Sequence, residues 1–446
     1  MPRTVWLLVA ARAVNRLGAF SLPFLTVLIS TEFGAGVTTA GLLSAGFGLA
    51  TIPSRLAGGR LARGIGRRRT IVLGLTGCAV AQLGIAAAGS LLAVAVFAVL
   101  LGLVFELYEP PSQALIADAV GPTERVRAYS LFNAALAAGG TGAGLIAAAL
   151  GRWDLRWLFV VDAATCLLSA LILRIALPAD HAGPADHAGP ADRAEQTGPA
   201  DHSGPADPAD HSGHAGPADR TDRAAPVDRV DRAEPVRPWR DRALRAVFLS
   251  GTLFALVTTT IAMGLPLTLA RRGLEPADAG LLFTASAVTV VAAQPALRLR
   301  RLASLSDSGA IAIGHVLLAA GLAGYAVAST LPTFLAATVL WSLGDVLVLG
   351  RVLTVVADLA PRGGADGYLA AYGISWGIAT VAAPVTSTQL LAHVGVGALW
   401  TGAAVLCLAL AAAQPLVVGP LVSAPRRRST ERGRGRAGAG SDARSA

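Results

Sequence analysis

The chain carries about six long apolar segments on each side of a low-complexity stretch that runs from Pro178 to Arg242. Each segment supplies roughly the 20 mainly apolar residues that a helix needs to cross a bilayer. Only 15% of the 446 residues are charged and 54% are hydrophobic, whereas an average soluble domain has about 25% charged residues. The sequence therefore predicts an all-α membrane protein with twelve transmembrane helices.

The predicted spans can be placed by their apolar runs. In the first half they lie near residues 4–30, 37–57, 70–89, 91–118, 127–150 and 157–177. In the second half they lie near residues 244–270, 277–297, 309–329, 331–358, 366–391 and 395–419. The fourth span is long enough to contain a kink at Pro110 and Pro111. The chain thus divides into an N-terminal six-helix bundle, a linker, a C-terminal six-helix bundle and a basic tail, at residues 1–177, 178–242, 243–420 and 421–446.

The arginines predict the orientation in the membrane. They cluster at residues 60–69, 298–301 and 426–428, in alternate loops and in the tail. Because arginine-rich loops stay on the cytoplasmic side, we expect both termini in the cytoplasm and the protein in the plasma membrane. Arg12 and Arg16 interrupt the first apolar run, so we interpret it as a transmembrane helix and not as a signal peptide.

The linker is too polar to bury a core, and we expect it to be disordered. Its histidines could bind a divalent metal weakly, although a solvated spacer is the simpler interpretation; they are His181, His187, His202, His211 and His214. The net charge of +9 is assigned to loops and a tail that face anionic lipid, so we expect no nucleic-acid partner. The cysteines Cys78, Cys166 and Cys407 stand singly in predicted helices and are expected to be small core residues.

The two halves repeat one another in sequence. Residues 22–26, Leu-Pro-Phe-Leu-Thr, recur as Leu-Pro-Leu-Thr at 265–268, and the Ala-Gly-Leu-Leu of 40–43 recurs at 279–282. The pair Ala117-Asp118 recurs as Ala357-Asp358. Since each half has an even number of spans, the copies share one orientation and form parallel repeats.

The loop between the second and third spans carries the most specific motif. Residues 59–69 resemble the Gly-x-Leu-Ala-Asp-Arg-x-Gly-Arg-Arg motif of the major facilitator superfamily, with Gly59, Gly66, Arg67 and Arg68 at the matching positions. Arg63 stands where the motif has its aspartate. Residues 105–112 are similar to the drug:proton antiporter branch. This resemblance implies the major facilitator fold and secondary transport, although Ala98 replaces that branch's arginine and the element at 139–144 lacks its proline.

Acidic residues at membrane depth are costly and often mark pathways. Three of them are candidates for binding and releasing a coupled proton: Glu106 first, with Glu109 beside it, and Asp345 next. Asp345 lies within one residue of the repeat-related position of Glu106, so both acids should lie at a similar depth. Asp162, only five residues past Trp157, is expected to reach the membrane surface.

Side chains predicted to line a substrate cavity are Arg12, Arg16, Tyr108, Arg351, Tyr372 and Trp376. Arg12 and Arg16 are four residues apart on one helical face, from which they could pair with Glu106 or Asp345 in one conformation. A static ion pair that fixes helix packing is the alternative. If the substrate is an anion, Arg16 and Arg351 would be its ligands.

Charged residues at the predicted cytoplasmic helix ends are candidates for a gate: Arg63, Asp118, Asp358 and Asp366. In the family, the acid at the position of Arg63 lies against the start of helix eleven. Here that end offers Asp366, so we expect a reversed pair, Arg63 with Asp366, that latches the cytoplasmic side. Capping and loop ion pairing are the alternatives for the three aspartates.

The combined prediction is a secondary transporter that exports small amphipathic compounds by alternating access, coupled to protons. The expected partners are a small-molecule substrate, protons and the lipid bilayer, with a monomeric chain and no cofactor. The short loops contain no catalytic constellation, so we do not expect an enzyme. Uptake or export of a defined polar or anionic metabolite is one alternative, and a non-transporting membrane sensor with the linker as its output is another.

Overall fold

A computed structural model describes residues 2–19, 21–119, 125–177, 242–295, 305–359 and 365–417. These ranges contain helices and no β-strand. The first half consists of α1 (Arg3–Gly18), α2 (Ser21–Glu32), α3 (Val37–Ile65), α4 (Arg67–Ala87), α5 (Leu91–Phe105), α6 (Glu109–Ala119), α7 (Arg125–Leu150) and α8 (Arg156–Ala176). The second half consists of α9 (Arg242–Arg271), a 3₁₀ turn (Pro276–Asp278), α10 (Ala279–Ala293), α11 (Asp307–Val327), α12 (Leu331–Leu359), α13 (Ala365–His393) and α14 (Val396–Val417).

These helices correspond to the twelve predicted spans, two of which are broken. Within the described ranges, length and hydropathy identify ten stretches that could cross a membrane, and α7 and α13 complete the twelve. The first span consists of α1 and α2, and the fourth consists of α5 and α6. The predicted all-α fold of twelve membrane helices is therefore confirmed. The histidine-rich linker and the basic tail lie outside the described residues.

A proline follows each of the two breaks. A proline ring clashes with the carbonyl four residues earlier, which for Pro110 and Pro111 means Glu106 and Leu107. The fourth span is broken at residues 106–108, as the predicted kink required. The break between α1 and α2 was not predicted, yet Pro23 stands in the first turn of α2, where proline is tolerated, and it excludes a helical bond to the carbonyl of Ala19.

The two halves pack their helices in the same pattern. In the first half α4 packs against α5 and α8, and α1 packs against α7. In the second half α11 packs against α12 and α14, and α9 packs against α13. These pairs are related by the sequence repeat, so the repeat extends to tertiary structure.

Within the described ranges, the halves contact one another mainly through three helix pairs, α3 with α13, α7 with α10, and α2 with α9. Gly144 of α7 and Gly280 of α10 lie so close that a Cβ at either position would collide with the other helix. Beside them, the hydroxyl of Thr284 donates to the carbonyl of Thr141 (3.1 Å). Close backbone approach through small residues is how membrane helices associate.

An ion pair also joins the halves at this end of the molecule. Arg152, in the loop after α7, donates to Asp278 before α10 at 2.6 Å. This hydrogen bond raises the pKa of Arg152, so the guanidinium stays charged. We call this end, where the loops 33–36, 151–155 and 272–278 lie, the closed end.

Candidate functional site

A cavity of about 310 Å³ lies between the two halves. Both halves contribute to its wall, which consists of Arg16, Gly140, Thr258, Ile261, Ala262, Phe283, Ser286, Ala287, Val290 and Trp341. Its volume falls at the lower end of the range of small-molecule sites, about 300–1,000 Å³. The wall is largely apolar, with two hydroxyls and one guanidinium.

Arg16 is the charged member of this described wall. It is half-buried on α1 and lies against Gly139 and Gly140 of α7. Among the described residues its guanidinium has no hydrogen bond and no ion pair. Arg16, predicted to line a substrate cavity, is a member of this wall, and its donors are available to a ligand.

Trp341, on α12, is a wall residue that the sequence interpretation missed. Its indole N–H donates to the hydroxyl of Tyr325 (2.8 Å), which lies 2.5 Å from the hydroxyl of Thr338. The next residue, Ser342, donates to Ser286 of the wall at 2.8 Å. The ring is thus held in one orientation. The sequence contained one indication of this role, because Trp341 lies one helical turn before Asp345, a candidate proton-binding residue.

At the break in the fourth span, three residues that the sequence predicted as site residues lie together: Arg12, Tyr108 and Glu109. Arg12 forms an ion pair with Glu109 (3.0 Å) and donates to the hydroxyl of Tyr108 (3.2 Å). The guanidinium also lies 5.5 Å from the centre of the Tyr108 ring. The pair ties α1 to the start of α6.

Glu106 and Asp345 have carboxylates without a hydrogen-bond or ion-pair partner among the described residues. Glu106 lies in the break itself, where its backbone N–H donates to Ser54 (3.0 Å). The cations that face it are Arg55 and Arg12. Asp345 is half-buried on α12, one turn from Trp341. Neither acid is a member of the described cavity wall.

The sequence interpretation expected Asp162 to reach the membrane surface, and this expectation is wrong. The residue is buried among helices and only 5% exposed. It accepts hydrogen bonds from Ser21 at 2.6 Å and from the thiol of Cys166 at 3.7 Å, and the side chain of Gln82 lies beside it. The reason is the direction of its side chain, because this face of α8 packs on α1 and α4 and not on lipid. The signal in the sequence was an acid flanked by apolar residues within a predicted span.

Three predicted cavity residues lie elsewhere. Arg351 binds Asp307 at the start of α11 (2.7 Å). Tyr372 is 2% exposed and packs on Gly251 of α9. Trp376 packs edge-to-face on Phe254. None of these three belongs to the described cavity wall: Arg351 and Tyr372 contact other helices, and Trp376 is 36% exposed.

Residues 59–69, whose sequence resembles the loop motif of the major facilitator superfamily, are mostly helical. Gly59 lies within α3, which extends to Ile65, beyond the predicted end at residue 57. Gly66 alone joins α3 to α4 with φ of +95°, a conformation that favours glycine. Arg68 donates to the carbonyl of Arg174 at the end of α8 (2.6 Å), where a cation is favourable. Arg67 begins α4.

The predicted gate is only partly described. Arg63 is exposed and has no partner among the described residues, and Asp358 is exposed. The side chains of Asp118 and Asp366 lie outside the described ones, so the pairing of Arg63 with Asp366 stays a prediction.

The described residues contain no group of three or more metal-binding side chains. Cys78, Cys166 and Cys407 are free and buried, which confirms their placement in the core. The five linker histidines belong to the undescribed part of the chain.

Residues 8–297, more than half of the chain, match the Major Facilitator Superfamily. The chain therefore belongs to this superfamily of membrane transporters, which also confirms that it is not an enzyme. The match is to the superfamily as a whole, so membership of the drug:proton antiporter branch stays a prediction.

Two curated proteins of Bacillus subtilis (strain 168) are similar to parts of the chain. The uncharacterized MFS-type transporter YhjO is 28% identical over 161 residues, which cover 36% of this chain and 40% of YhjO. The uncharacterized MFS-type transporter YqjV is 29% identical over 132 residues, which cover 29% of this chain and 32% of YqjV. The similarity thus spans less than half of either relative.

Solved structures match over nearly the whole chain. The peptide transporter POT in complex with sulfate has a TM-score of 0.68 at 16% identity, covering 94% of this chain and 96% of that one. PepTSo, a POT family transporter, has a TM-score of 0.70 at 13% identity, covering 95% and 99%. A bacterial homolog of the human lysosomal transporter Spinster, in an inward-facing and occupied conformation, has a TM-score of 0.61 at 14% identity, covering 93% and 96%. At these identities the likeness shows the fold alone.

Proposed function

We propose that the protein is a secondary transporter that moves small amphipathic compounds by alternating access. The observation that supports this most is the cavity of about 310 Å³ with walls from both halves. Substrate sites of such repeat-built transporters lie near the bilayer midplane at the interface of the repeats. Contacts between the halves at the closed end would have to break for the substrate to leave on that side.

The wall chemistry supports the amphipathic character of the substrate. An apolar body can pack on Ile261, Phe283 and Trp341, while a polar group can bind the hydroxyls of Thr258 and Ser286. Export, proton coupling and a plasma-membrane location belong to the same proposal. The arginine-rich loops support cytoplasmic termini, and the closed end would then face outward.

A defined anionic metabolite is the second candidate substrate. Arg16 supports it, because a guanidinium without an ion pair beside a cavity can bind a carboxylate through two hydrogen bonds. Both candidates use the same cavity and differ in how much of the binding free energy comes from charge.

The test is transport by the purified protein in proteoliposomes with an imposed ΔpH. The probes are ethidium, radiolabelled salicylate and radiolabelled salicylamide, which supply a cation, an anion and its neutral analogue. We expect flux of at least one probe above that of protein-free liposomes. Separate addition of the probe inside and outside measures the direction.

Cavity-filling variants show whether the cavity carries the flux. Ala287→Trp places an indole in the cavity wall and should abolish transport. Ala409→Trp, on an exposed face of α14, is the matched control and should retain it. Binding of a probe without flux would contradict the proposal and identify the sensor alternative.

A further inference from the structure

A buried polar cluster lies at the break in the first span, outside the cavity wall. We infer that Asp162, held between Ser21 and Gln82 in this cluster, is the residue that binds and releases the coupled proton. The inference rests on the proposed transport function. In one cycle a proton from water on one side binds a carboxylate oxygen of Asp162, and it leaves to water on the other side.

The first argument is the contact between Asp162 and the interrupted helix. Ser21, in the part of α2 that the structure describes (Ser21–Glu32), donates its hydroxyl hydrogen bond to Asp162 at 2.6 Å. A hydrogen bond to an ionised carboxylate is stronger than one to a neutral group. The negative charge of Asp162 therefore strengthens its contact with α2, and its neutralisation by a proton weakens that contact.

The second argument is an unused acceptor beside the carboxylate. Gln82 is 2% exposed, its side chain lies beside Asp162, and its Oε1 has no partner among the described residues. When Asp162 is ionised, the amide N–H₂ can donate to it. When Asp162 is protonated, a turn of the amide lets the new O–H donate to Oε1. The cluster can therefore provide hydrogen bonds to Asp162 in both protonation states. A carboxylate that only capped a helix would need partners for its ionised form alone.

The third argument is that the packing transmits a change at Asp162 to the break. Gly18, the last residue of α1, lies so close to the backbone of Asp162 and to Thr165 that a Cβ would collide with both. The carboxylate is thus fixed relative to the end of α1 as well as to the start of α2. A shift at Asp162 has to move one of these two helix ends.

The titratable and charged groups that face Asp162 are few among the described side chains. Arg16 of α1 is the cation, and the thiols are Cys78 of α4 and Cys166 of α8. Protonation removes the negative charge that faces Arg16 and strengthens the field that this arginine presents to the cavity. An anionic substrate would then move together with the proton and a cationic one in exchange for it.

A chain of hydrogen bonds connects Asp162 with the other broken span. Arg12 donates to Tyr108, Tyr108 to Asn15 (3.4 Å), Asn15 to Cys166 (3.1 Å), and Cys166 to Asp162 (3.7 Å). Each group donates in the same direction, toward the carboxylate. A change in the protonation state of Asp162 can therefore alter the hydrogen bonds of Arg12, which binds Glu109 at the start of α6.

The second half serves as an internal comparison. The positions related to Asp162 by the repeat, 401–405, contain no ionisable residue, and those related to Gln82, 321–325, contain no amide side chain. There α9 continues through Pro266, although this proline repeats Pro23. The break and the acid occur together in the first half.

The experiment is pH-difference infrared spectroscopy of the purified protein in lipid, which needs no substrate. On acidification the wild type should gain a carbonyl band of a buried carboxylic acid. This band should be lost in Asp162→Asn and retained in Asp154→Asn, the matched control at an exposed acid before α8. Identical spectra of the wild type and Asp162→Asn would overturn the inference.

Two further measurements separate coupling from structure. In proteoliposomes Asp162→Asn should lose probe accumulation driven by ΔpH and keep counterflow exchange, and accumulation as in the wild type would refute the inference. Gln82→Leu keeps the carboxyl but removes its amide partner, so the midpoint of the infrared titration should shift; an unchanged midpoint would also count against it. If the wild type moves none of the probes, the proposed function fails, while the spectra still decide whether Asp162 binds a proton.

Discussion

At the scale of single residues, the charges inside the described helices divide into paired and unpaired ones. Arg12 is bound by Glu109 and Arg351 by Asp307, and such pairs fix helices because breaking one leaves a buried charge. Arg16 has no such partner among the described residues. A cation at membrane depth without a protein partner is expected to meet a ligand.

The first prediction is that Arg16→Gln discriminates between anionic and neutral substrates. A hydrogen bond to a charged group contributes about 1.5–3 kcal/mol, so uptake of salicylate at low concentration should fall by about ten- to a hundredfold. Uptake of salicylamide should stay within about twofold, because it does not use the charge. Radiolabelled uptake in proteoliposomes measures both.

Arg271→Gln is the matched control, since Arg271 is exposed at the closed end. It should leave both probes unaffected. An equal loss of salicylate and salicylamide uptake in Arg16→Gln would mean that Arg16 acts through folding or packing.

At the scale of helices, two spans are broken in the described chain, and several unbroken helices pack closely against one another. The glycines of α7 illustrate this close packing. Gly139 packs on α1, and Gly144 packs on Gly280 of α10, so the packing role expected of this glycine run agrees with the contacts. The pair α7–α10 also carries the bond from Thr284 and is followed by the ion pair of Arg152 with Asp278.

The second prediction is that Gly144→Leu prevents closure at this end. The new side chain would collide with the backbone of α10, so the contact between the halves cannot form. Transport should fall to background, with normal insertion into the membrane. A thiol reagent should also gain access to a cysteine introduced at Ala287 in the cavity wall.

Gly402→Leu is the control for the added side chain, because a Cβ at Gly402 meets no other atom within 4 Å. It should transport like the wild type. Full activity of Gly144→Leu would show that alternating access does not need the tight contact between α7 and α10.

At the scale of the whole molecule, the two six-helix repeats both line the described cavity and meet at the closed end. Alternating access requires a second set of contacts that holds the other end in the opposite state. The predicted members of that set are Arg63 on α3 and Asp366 on α13. At the other ends of these two helices, Gly41 and Gly48 of α3 lie against residues 380–388 of α13, so the halves are already in contact there.

The third prediction is a charge-swap test of this pair. Arg63→Asp and Asp366→Arg should each impair transport, because like charges then face one another when that end closes. The double variant should recover much of the activity. Initial rates of probe uptake check this, with Arg60→Asp as a control at another exposed arginine of α3.

Two results would contradict the latch. One is wild-type transport by both single variants. The other is a double variant that is no better than the worse single variant, which would leave Arg63 as one of the basic residues that set topology.

The fourth prediction concerns the linker between the halves. Replacement of residues 178–242 by about 20 flexible residues, which span about 25 Å on average, should leave transport intact. The linker is expected to act only as a tether. Loss of transport with normal membrane insertion would reveal a function of the deleted segment, and added Zn²⁺ would test its histidines in the wild type.

The sequence alone determined the number of spans, the parallel repeat and the kink before Pro110. These properties depend on local chemistry: the length of an apolar run, an even number of spans in each copy, and the missing N–H of proline. These properties do not depend on the direction in which each face of a helix points. The family could be expected from the motif at Gly59 to Arg69 because its glycine and arginine positions are contiguous in sequence.

Only the tertiary structure decided which side of each helix meets the cavity. In a membrane the lipid and the protein core are both apolar, so hydropathy does not tell a wall residue from a lipid-facing one. Trp341 was therefore missed, and Tyr372 and Trp376, predicted to line a substrate cavity, are not members of the described wall. For the same reason Asp162 was expected at the surface, whereas the packing of α8 on α1 turns its carboxylate toward Ser21.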